Sequence, residues 1–386
     1  MFFKLKMKIK YVLYWLFFRV FAVFPIRKNK IVFIGNASLG RNPQLLYEEL
    51  LRNDVEQLDI VLALTRLIDV KNNTRVIYNY GWKYLLELAT AKVWISDSRL
   101  QAYYHKRKGQ LYFMLWHGCA GLKKIEKDTE ETLPPYYIKC AKNDSKNTDI
   151  MVADTQFLYN IMKNSFWYDG TILQAEFVDK KKDVNSVQKV RDYYGINKEC
   201  SLILYVPTFR KLNSSDCYNI DYERVVNCLN VRFEKEHAFV IRFHENNAHD
   251  AKKINYNDHI FNGTYYPKID ELIDAADYII SDYSSCLFEG YRRFKKVFIY
   301  APDYEEYVTK DRGMYYNMYD LPSPISQNTD QLIDDMVGYD EKNYIESEKK
   351  INDSIGYYED DAAAELVRLL CESLPINPQK VHEGRN

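Results

Sequence analysis

Apolar residues along this chain fall in short, nearly continuous runs separated by stretches with helical spacing. Runs at 31–34, 60–64, 93–96, 112–116, 150–153 and 171–173 have the length of strands buried on both faces. Between them, 43–51 and 82–89 have the look of helices. Continuous apolar strands alternating with helices predict a parallel sheet covered on both sides. Residues 179–189 interrupt this rhythm with a polar, lysine-rich stretch that has no apolar alternation. The rhythm then restarts, with strands expected at 202–206, 239–243, 278–281 and 297–300. Helices are expected at 222–233, 269–276, 284–293 and 360–374. The expected fold class is α/β, with two Rossmann-like domains at 31–178 and 196–374 joined by a connection at 179–195. An arm at 1–30 precedes them and a tail at 375–386 follows. A length of 386 residues agrees, since one ordinary core rarely grows so large.

The arm differs chemically from the rest. Its thirty residues hold eight Lys/Arg and no acid, and the first acidic residue of the chain is Glu48. Residues 11–26 are apolar apart from Arg19, a run of 16 that ends beside Pro25. That falls short of the about 20 residues a spanning helix needs. The sequence Phe24, Pro25, Ile26, Arg27 is also a poor signal-cleavage site. Aromatic and leucine side chains among Lys/Arg suit an amphipathic helix lying on an anionic membrane surface, where each basic residue contributes roughly 1 kcal/mol. A spanning anchor and a plain structural helix are the competing readings.

Elsewhere the charges balance, 53 Lys+Arg against 54 Asp+Glu, so nothing resembles the basic footprint of a nucleic-acid binder. The seven cysteines include no C-x-x-C pair, which removes the zinc-ribbon and thioredoxin patterns and suits a reducing, cytosol-facing environment. The 34 tyrosines are spread along the whole chain and mark no site by themselves.

Several chemistries lose their usual signatures. The chain has no G-x-G-x-x-G, no G-x-x-x-x-G-K-[ST], no H-E-x-x-H and no G-x-S-x-G. No two aspartates are spaced D-x-D, a pattern that holds metal-bound nucleotides in many sugar transferases. Four clusters remain, each at the end of an expected strand. The first is Trp116, His117 and Gly118, followed by Leu122, Lys123 and Lys124. Its glycine lets the backbone approach a ligand, and its imidazole has the pKa of a general base; a histidine satisfied in a turn fits the spacing equally well. The second is Pro207, Thr208, Phe209 and Arg210. The third is Arg242, Phe243 and His244, whose Arg and His alternate on one strand face and can meet phosphate oxygens. The fourth runs Ser281, Asp282, Tyr283, Ser284 and Ser285 off a buried strand into a helix start, where hydroxyls and free N–H groups favour an anion. Simple capping needs only one of those serines.

In this order, the four clusters resemble the CDP-glycerol glycerophosphotransferase family, the teichoic-acid primases and polymerases of bacteria. That family carries W-H-G…L-K-K, P-T-[FW]-R, R-x-H and D-Y-S-S segments. Further matches are Asp97 within Trp94 to Arg99, Asp270 in an Asp-Glu-Leu triplet, Tyr307, and Arg312 with Gly313. The resemblance implies a GT-B fold: two facing Rossmann-like domains with the nucleotide on the second. It implies His117 as general base, and a donor pocket of Thr208, Arg210, Arg242, His244, Ser284, Ser285 and Arg312. Asp270 and Asp282 would contact the donor or orient a neighbour, with Asp282 placed among the catalytic residues. Trp116, Gly118, Lys123 and Asp97 would lie on the acceptor side. No cofactor and no metal are expected.

Departures are Cys119 and Ala120 where proline is usual after W-H-G, Glu245 for proline after R-x-H, and Glu289 where aspartate is common. They leave the polyol open between CDP-glycerol and CDP-ribitol, and the product between a teichoic-acid-like and a capsular polymer. The implied partners are the CDP-polyol, a lipid-linked saccharide acceptor and the anionic inner membrane surface, with no nucleic acid; self-association as a homo-oligomer is left open. The expected location is the cytoplasmic face of the bacterial membrane, held peripherally. The alternatives are a GT-B glycosyltransferase using a nucleotide sugar and a non-catalytic nucleotide-binding scaffold.

Overall fold

The structure is a computed structural model describing residues 2–53, 57–70, 73–118, 121–177, 185–208, 218–244, 247–310 and 313–374. The chain divides into two compact units. The first comprises Met1–Cys119, Glu126–Asp179 and Tyr357–Asn386, and the second Ala120–Ile125 and Lys180–Gly356.

In the first unit seven parallel strands form one sheet: β1 (Arg27–Ile34), β2 (Asp59–Leu64), β3 (Arg75–Tyr78), β4 (Ala91–Ser96), β5 (Leu111–Met114), β6 (Ile150–Ala153) and β7 (Thr171–Gln174). Their spatial order is β3-β2-β1-β4-β5-β6-β7, so the winding reverses between β1 and β4. In sheets of this kind the crevice at such a reversal, outside the carboxyl ends of the strands, is where ligands bind. Helices α1 (Phe2–Phe21), α2 (Arg41–Arg52), α3 (Gly81–Thr90), α4 (Pro135–Asn147) and α5 (Gln156–Ser165) flank the sheet, and the Thr155 side chain caps α5 by accepting from Leu158 N.

The second unit has six strands: β8 (Ser201–Val206), β9 (His237–Ile241), β10 (Ile260–Asn262), β11 (Tyr278–Ser281), β12 (Lys296–Tyr300) and β13 (Ile325–Ser326). All pair in parallel in the order β10-β9-β8-β11-β12-β13, and the winding reverses between β8 and β11. Every residue of β8 is buried, which is why its sequence is apolar without alternation. The helices are α6 (Ser186–Tyr194), α7 (Tyr222–Phe233), α8 (Ile269–Ala275), α9 (Cys286–Arg292), α10 (Tyr304–Lys310), α11 (Thr329–Val337) and α12 (Glu341–Ile355).

Two domain expectations are revised. The last helix, α13 (Ala362–Ser373), belongs to the first unit and not to a domain ending at 374. Its Leu366 and Leu370 share a core with Leu46 and Leu50 of α2 and Phe33 of β1. Part of the expected connection is α6, which packs on α8 and so belongs to the second unit.

Of the expected arm at 1–30, α1 covers Phe2–Phe21, whereas Arg27 to Lys30 already belong to β1, with Lys30 buried and paired with Glu87 at 2.6 Å. The two sides of α1 differ. Phe18 is buried edge-on against Trp94 and Tyr104, while Tyr11 and Tyr14 meet Tyr103. The opposite side exposes Ile9, Val12, Leu13, Leu16, Phe17 and Val20, each between 46% and 58% accessible. Those positions follow the i, i+3, i+4, i+7 spacing of one helical face. Among the described residues no helix is long and apolar enough to cross a membrane.

Candidate active site

In the first unit β5 runs into Trp116, His117 and Gly118. Asn42 of α2 holds this turn by donating its Nδ2 to the carbonyls of Leu115 and Trp116, at 3.1 and 3.3 Å. Trp116 has φ +52, a left-handed conformation that is costly for a large side chain. It persists because the indole is buried edge-on against Phe166, with the Arg99 guanidinium 5.8 Å above its ring. Gly118 follows at φ +87, where a Cβ would meet no neighbour, so glycine is required there by conformation and not by space.

The imidazole of His117 stacks on Trp116, centroids 4.5 Å apart, and is exposed. Its Nδ1 lies 2.8 Å from the main-chain oxygen of Asp97, at the end of β4. A carbonyl only accepts, so Nδ1 carries the hydrogen, and in the neutral ring the lone pair lies on Nε2, the tautomer of a base. The Asp97 carboxyl is buried, which pushes its pKa up, while the nearby His117 pulls it down. Ser98 donates to Asp97 Oδ1 at 3.0 Å. Gly40, at the start of α2, lets that carboxylate approach; a Cβ on it would sit 1.7 Å from Asp97 Oδ2.

In the second unit the candidates cluster at the winding reversal. Asp282, after β11, accepts through Oδ1 from Thr208 N at 2.8 Å and from Tyr283 N at 2.6 Å. Ser281 Oγ donates to Val206 O at 2.5 Å. The ends of β8 and β11 are thereby tied together. Asp282 is buried and bonded to backbone N–H groups, so of its two expected roles the geometry fits the orienting one. Ser284 Oγ accepts from Cys286 N at 3.2 Å, while Ser285 makes no side-chain capping bond and is exposed. The expected helix at 284–293 thus begins two residues later, at α9.

Arg242 leaves β9 with its guanidinium against the carbonyls of Gly263 (3.1 Å) and Tyr266 (2.5 Å), which fixes the side chain. It acts electrostatically on Cys286, at the head of α9, whose thiol is pushed up to about 11 chiefly by burial. His244 is exposed two residues further on. Asp270 is paired with Arg293 at 3.0 Å, and Arg293 also holds Asp274 and Glu289. Arg210 and Arg312 lie outside the described residues.

Lys123 departs from its expected acceptor-side place. Its segment pairs antiparallel with Met314, and Lys124 N donates to Gly313 O at 2.7 Å, within the second unit. The Lys123 ammonium lies 5.0 Å from the Tyr307 ring, which stacks on Tyr283 at 3.7 Å. Lys123 is thus a neighbour of the Asp282 turn. Sequence reasoning also missed Asn42, Gly40 and the Arg99 pairs with Glu126 (2.9 Å) and Asp144 (3.1 Å), because nothing local in the sequence marks them.

Comparison with known proteins bears on the family and the fold. The family described as CDP-Glycerol:Poly(glycerophosphate) glycerophosphotransferase matches residues 16–372. The teichoic acid poly(glycerol phosphate) polymerase of Bacillus spizizenii W23 is 26% identical over 355 residues, 87% of this chain and 89% of that one. The teichoic acid glycerol-phosphate transferase of Staphylococcus aureus NCTC 8325 is 24% identical over 373 residues, 91% and 94% of the two chains. Several other relatives are longer, and the chain spans about half their length. The solved structure of the wall teichoic acid polymerase TagF matches with a TM-score of 0.77 at 19% identity, covering 97% of each chain. That likeness is one of fold, and it gives the two doubly wound sheets the expected GT-B class. With the family matching nearly the whole length, this chain belongs to the CDP-glycerol:poly(glycerophosphate) glycerophosphotransferase family.

Proposed function

We propose that the protein moves glycerol phosphate from CDP-glycerol to a hydroxyl of a lipid-linked saccharide acceptor, releasing CMP, in teichoic-acid synthesis. The observation that carries the reading is the Nδ1 contact of His117 with Asp97 O, which leaves Nε2 as a base. In the proposed step Nε2 takes the proton of the acceptor hydroxyl. The acceptor oxygen forms a bond to the glycerol-bearing phosphorus, and the P–O bond to CMP breaks with its electron pair leaving on CMP. Arg242, His244, Ser284 and Ser285, at the carboxyl ends of the second sheet, are the groups assigned to the donor diphosphate. Such groups act by positioning and by stabilising charge on the equatorial oxygens. Thr208 and Asp282 hold the two loops in register. Protein cations take the place of a metal in this scheme.

The exposed apolar stripe of α1, in an arm without a single acid, supports docking on the anionic inner leaflet, where a lipid-linked acceptor resides. Calorimetric titration with CDP-glycerol, CDP-ribitol and UDP-glucose tests the donor. Tightest binding of CDP-glycerol, weakened in His244→Ala, is expected. Preference for UDP-glucose would replace the reading with a glycosyltransferase.

A further inference from the structure

The first unit contains a cavity of about 400 Å³, whose lining takes in Ser96, Ser98 and Arg99 of the Trp94 to Arg99 segment. Its floor is the carboxyl ends of β1, β3 and β4, represented by Asn36, Asn79 and Ser98. It therefore occupies the winding reversal between β1 and β4, the position where an open parallel sheet receives its ligand. Its volume falls in the range of small-molecule sites. Asp97, whose carbonyl orients His117, sits between the lining residues Ser96 and Ser98.

The lining chemistry narrows the ligand. Seven of the sixteen lining residues are tyrosines, and the others include Asn36, Gln101 and Ser98. Among the described residues the one lining cation is Arg99, whose side chain is 4% accessible and paired with both Glu126 and Asp144. No carboxylate lines the cavity among the described residues. Among the described lining residues a phosphate would find no cation free of an acidic partner; Lys139 lies outside the lining, over the Tyr11 ring. Asn79 and Tyr11 already bond to the carbonyls of Gly35 and Ala102, and a bare hydrocarbon would leave the remaining hydrogen-bonding capacity of the amides and hydroxyls unmet. Flat aromatic faces rimmed by hydroxyls and amides match a ring with C–H faces and an equatorial rim of hydroxyls. Tyr136 donates to Gln101 Oε1 at 2.8 Å, which orients that amide with its NH₂ as the donor. One wall is α1 itself, through Tyr11 and Tyr14, so the helix assigned to the membrane also borders the cavity.

We propose that this cavity is the subsite for an uncharged saccharide ring of the acceptor, an assignment that rests on the transferase reading above. Saturation-transfer NMR on the full chain tests it, with the methyl glycosides of glucose and N-acetylglucosamine as probes. Inorganic phosphate and farnesyl phosphate serve as competitors. Tyr80→Ala and Gln101→Ala are suitable variants because both side chains are exposed and the changes leave the core intact. Transfer to at least one glycoside is expected in the parent, reduced at least fivefold in both variants and undisturbed by either competitor. Absence of transfer to both glycosides, transfer unchanged in the variants, or displacement by phosphate or farnesyl phosphate would overturn the assignment. CDP-glycerol binding is titrated on the same samples. Its loss in the parent counts against the transferase reading, whereas glycoside binding absent beside intact CDP-glycerol binding counts against the subsite alone.

Discussion

His117 donates from Nδ1 to the carbonyl of Asp97 at 2.8 Å, joining the turn after β5 to the end of β4. The bond sets both the tautomer and the direction of the imidazole. The same residue, Asp97, packs its carboxylate against Gly40, where no side chain would fit without moving it. The proposed base is therefore positioned, through Asp97, by the space that Gly40 leaves.

Gly40→Ala is expected to lower kcat on the order of 10-fold or more by displacing the Asp97 main chain. The donor Kd and the circular dichroism spectrum should stay near those of the parent. Steady-state rates with CDP-glycerol check this, and an unchanged kcat would show that the displacement is absorbed elsewhere.

Glu348 of α12 is 1% accessible, has no hydrogen-bond partner at Oε1, and is pushed up to about 8 by burial. Between its ordinary value of 4.5 and about 8, the unfolded chain loses this proton while the folded chain keeps it. Stability from this group is therefore complete below pH 4.5 and declines as pH rises toward 8. Glu348→Gln should raise Tm at pH 8 relative to the parent and leave it nearly unchanged at pH 4.5. A Tm difference independent of pH would mean the carboxyl is ionised in the fold.

The outward stripe of α1 is tested better by substitution than by deletion, because Phe18 on its other side is part of the core. Val12→Glu with Phe17→Glu should abolish co-sedimentation with phosphatidylglycerol vesicles while leaving donor binding intact. Parent binding should weaken with added salt and vanish on phosphatidylcholine. Retained binding by the double variant would place membrane contact on another surface.

With protein cations at the donor diphosphate, turnover should survive excess EDTA with less than about a twofold change. Arg242→Ala should lower it by roughly 10²-fold or more. Loss of activity in EDTA, restored by a divalent ion, would contradict this assignment.

The central strands and several helices were legible because their burial leaves a local mark. α7 lies at the expected 222–233, and Pro207 follows the end of β8. β3, β10 and β13 are short edge elements without a continuous apolar run, so their sequences carry no comparable mark. α13 shows an apolar stripe at the expected 360–374, but a stripe does not say which sheet it covers. The motif residues His117, Thr208, Arg242, Ser284 and Ser285 could be read as candidates from strand ends and resemblance. The contacts that orient His117 come from Asn42 and, through Asp97, from Gly40, and those that fix Arg242 come from the carbonyls of Gly263 and Tyr266, all distant in sequence. The tyrosines of the cavity were hidden by their own abundance: 34 along the chain, of which seven converge only when α1, α3 and α4 meet the sheet.

The most direct measurement is the product of a single incubation of the protein with CDP-glycerol and a lipid-linked saccharide acceptor, followed by mass spectrometry beside CMP quantification. The acceptor should gain glycerol together with its phosphate, with one CMP released per unit added. His117→Ala should lose about 10²–10⁴-fold in rate with CDP-glycerol affinity unchanged. A product that gains a sugar without phosphate, or full turnover by His117→Ala, would contradict the assignment of this fold and this histidine to glycerophosphate transfer.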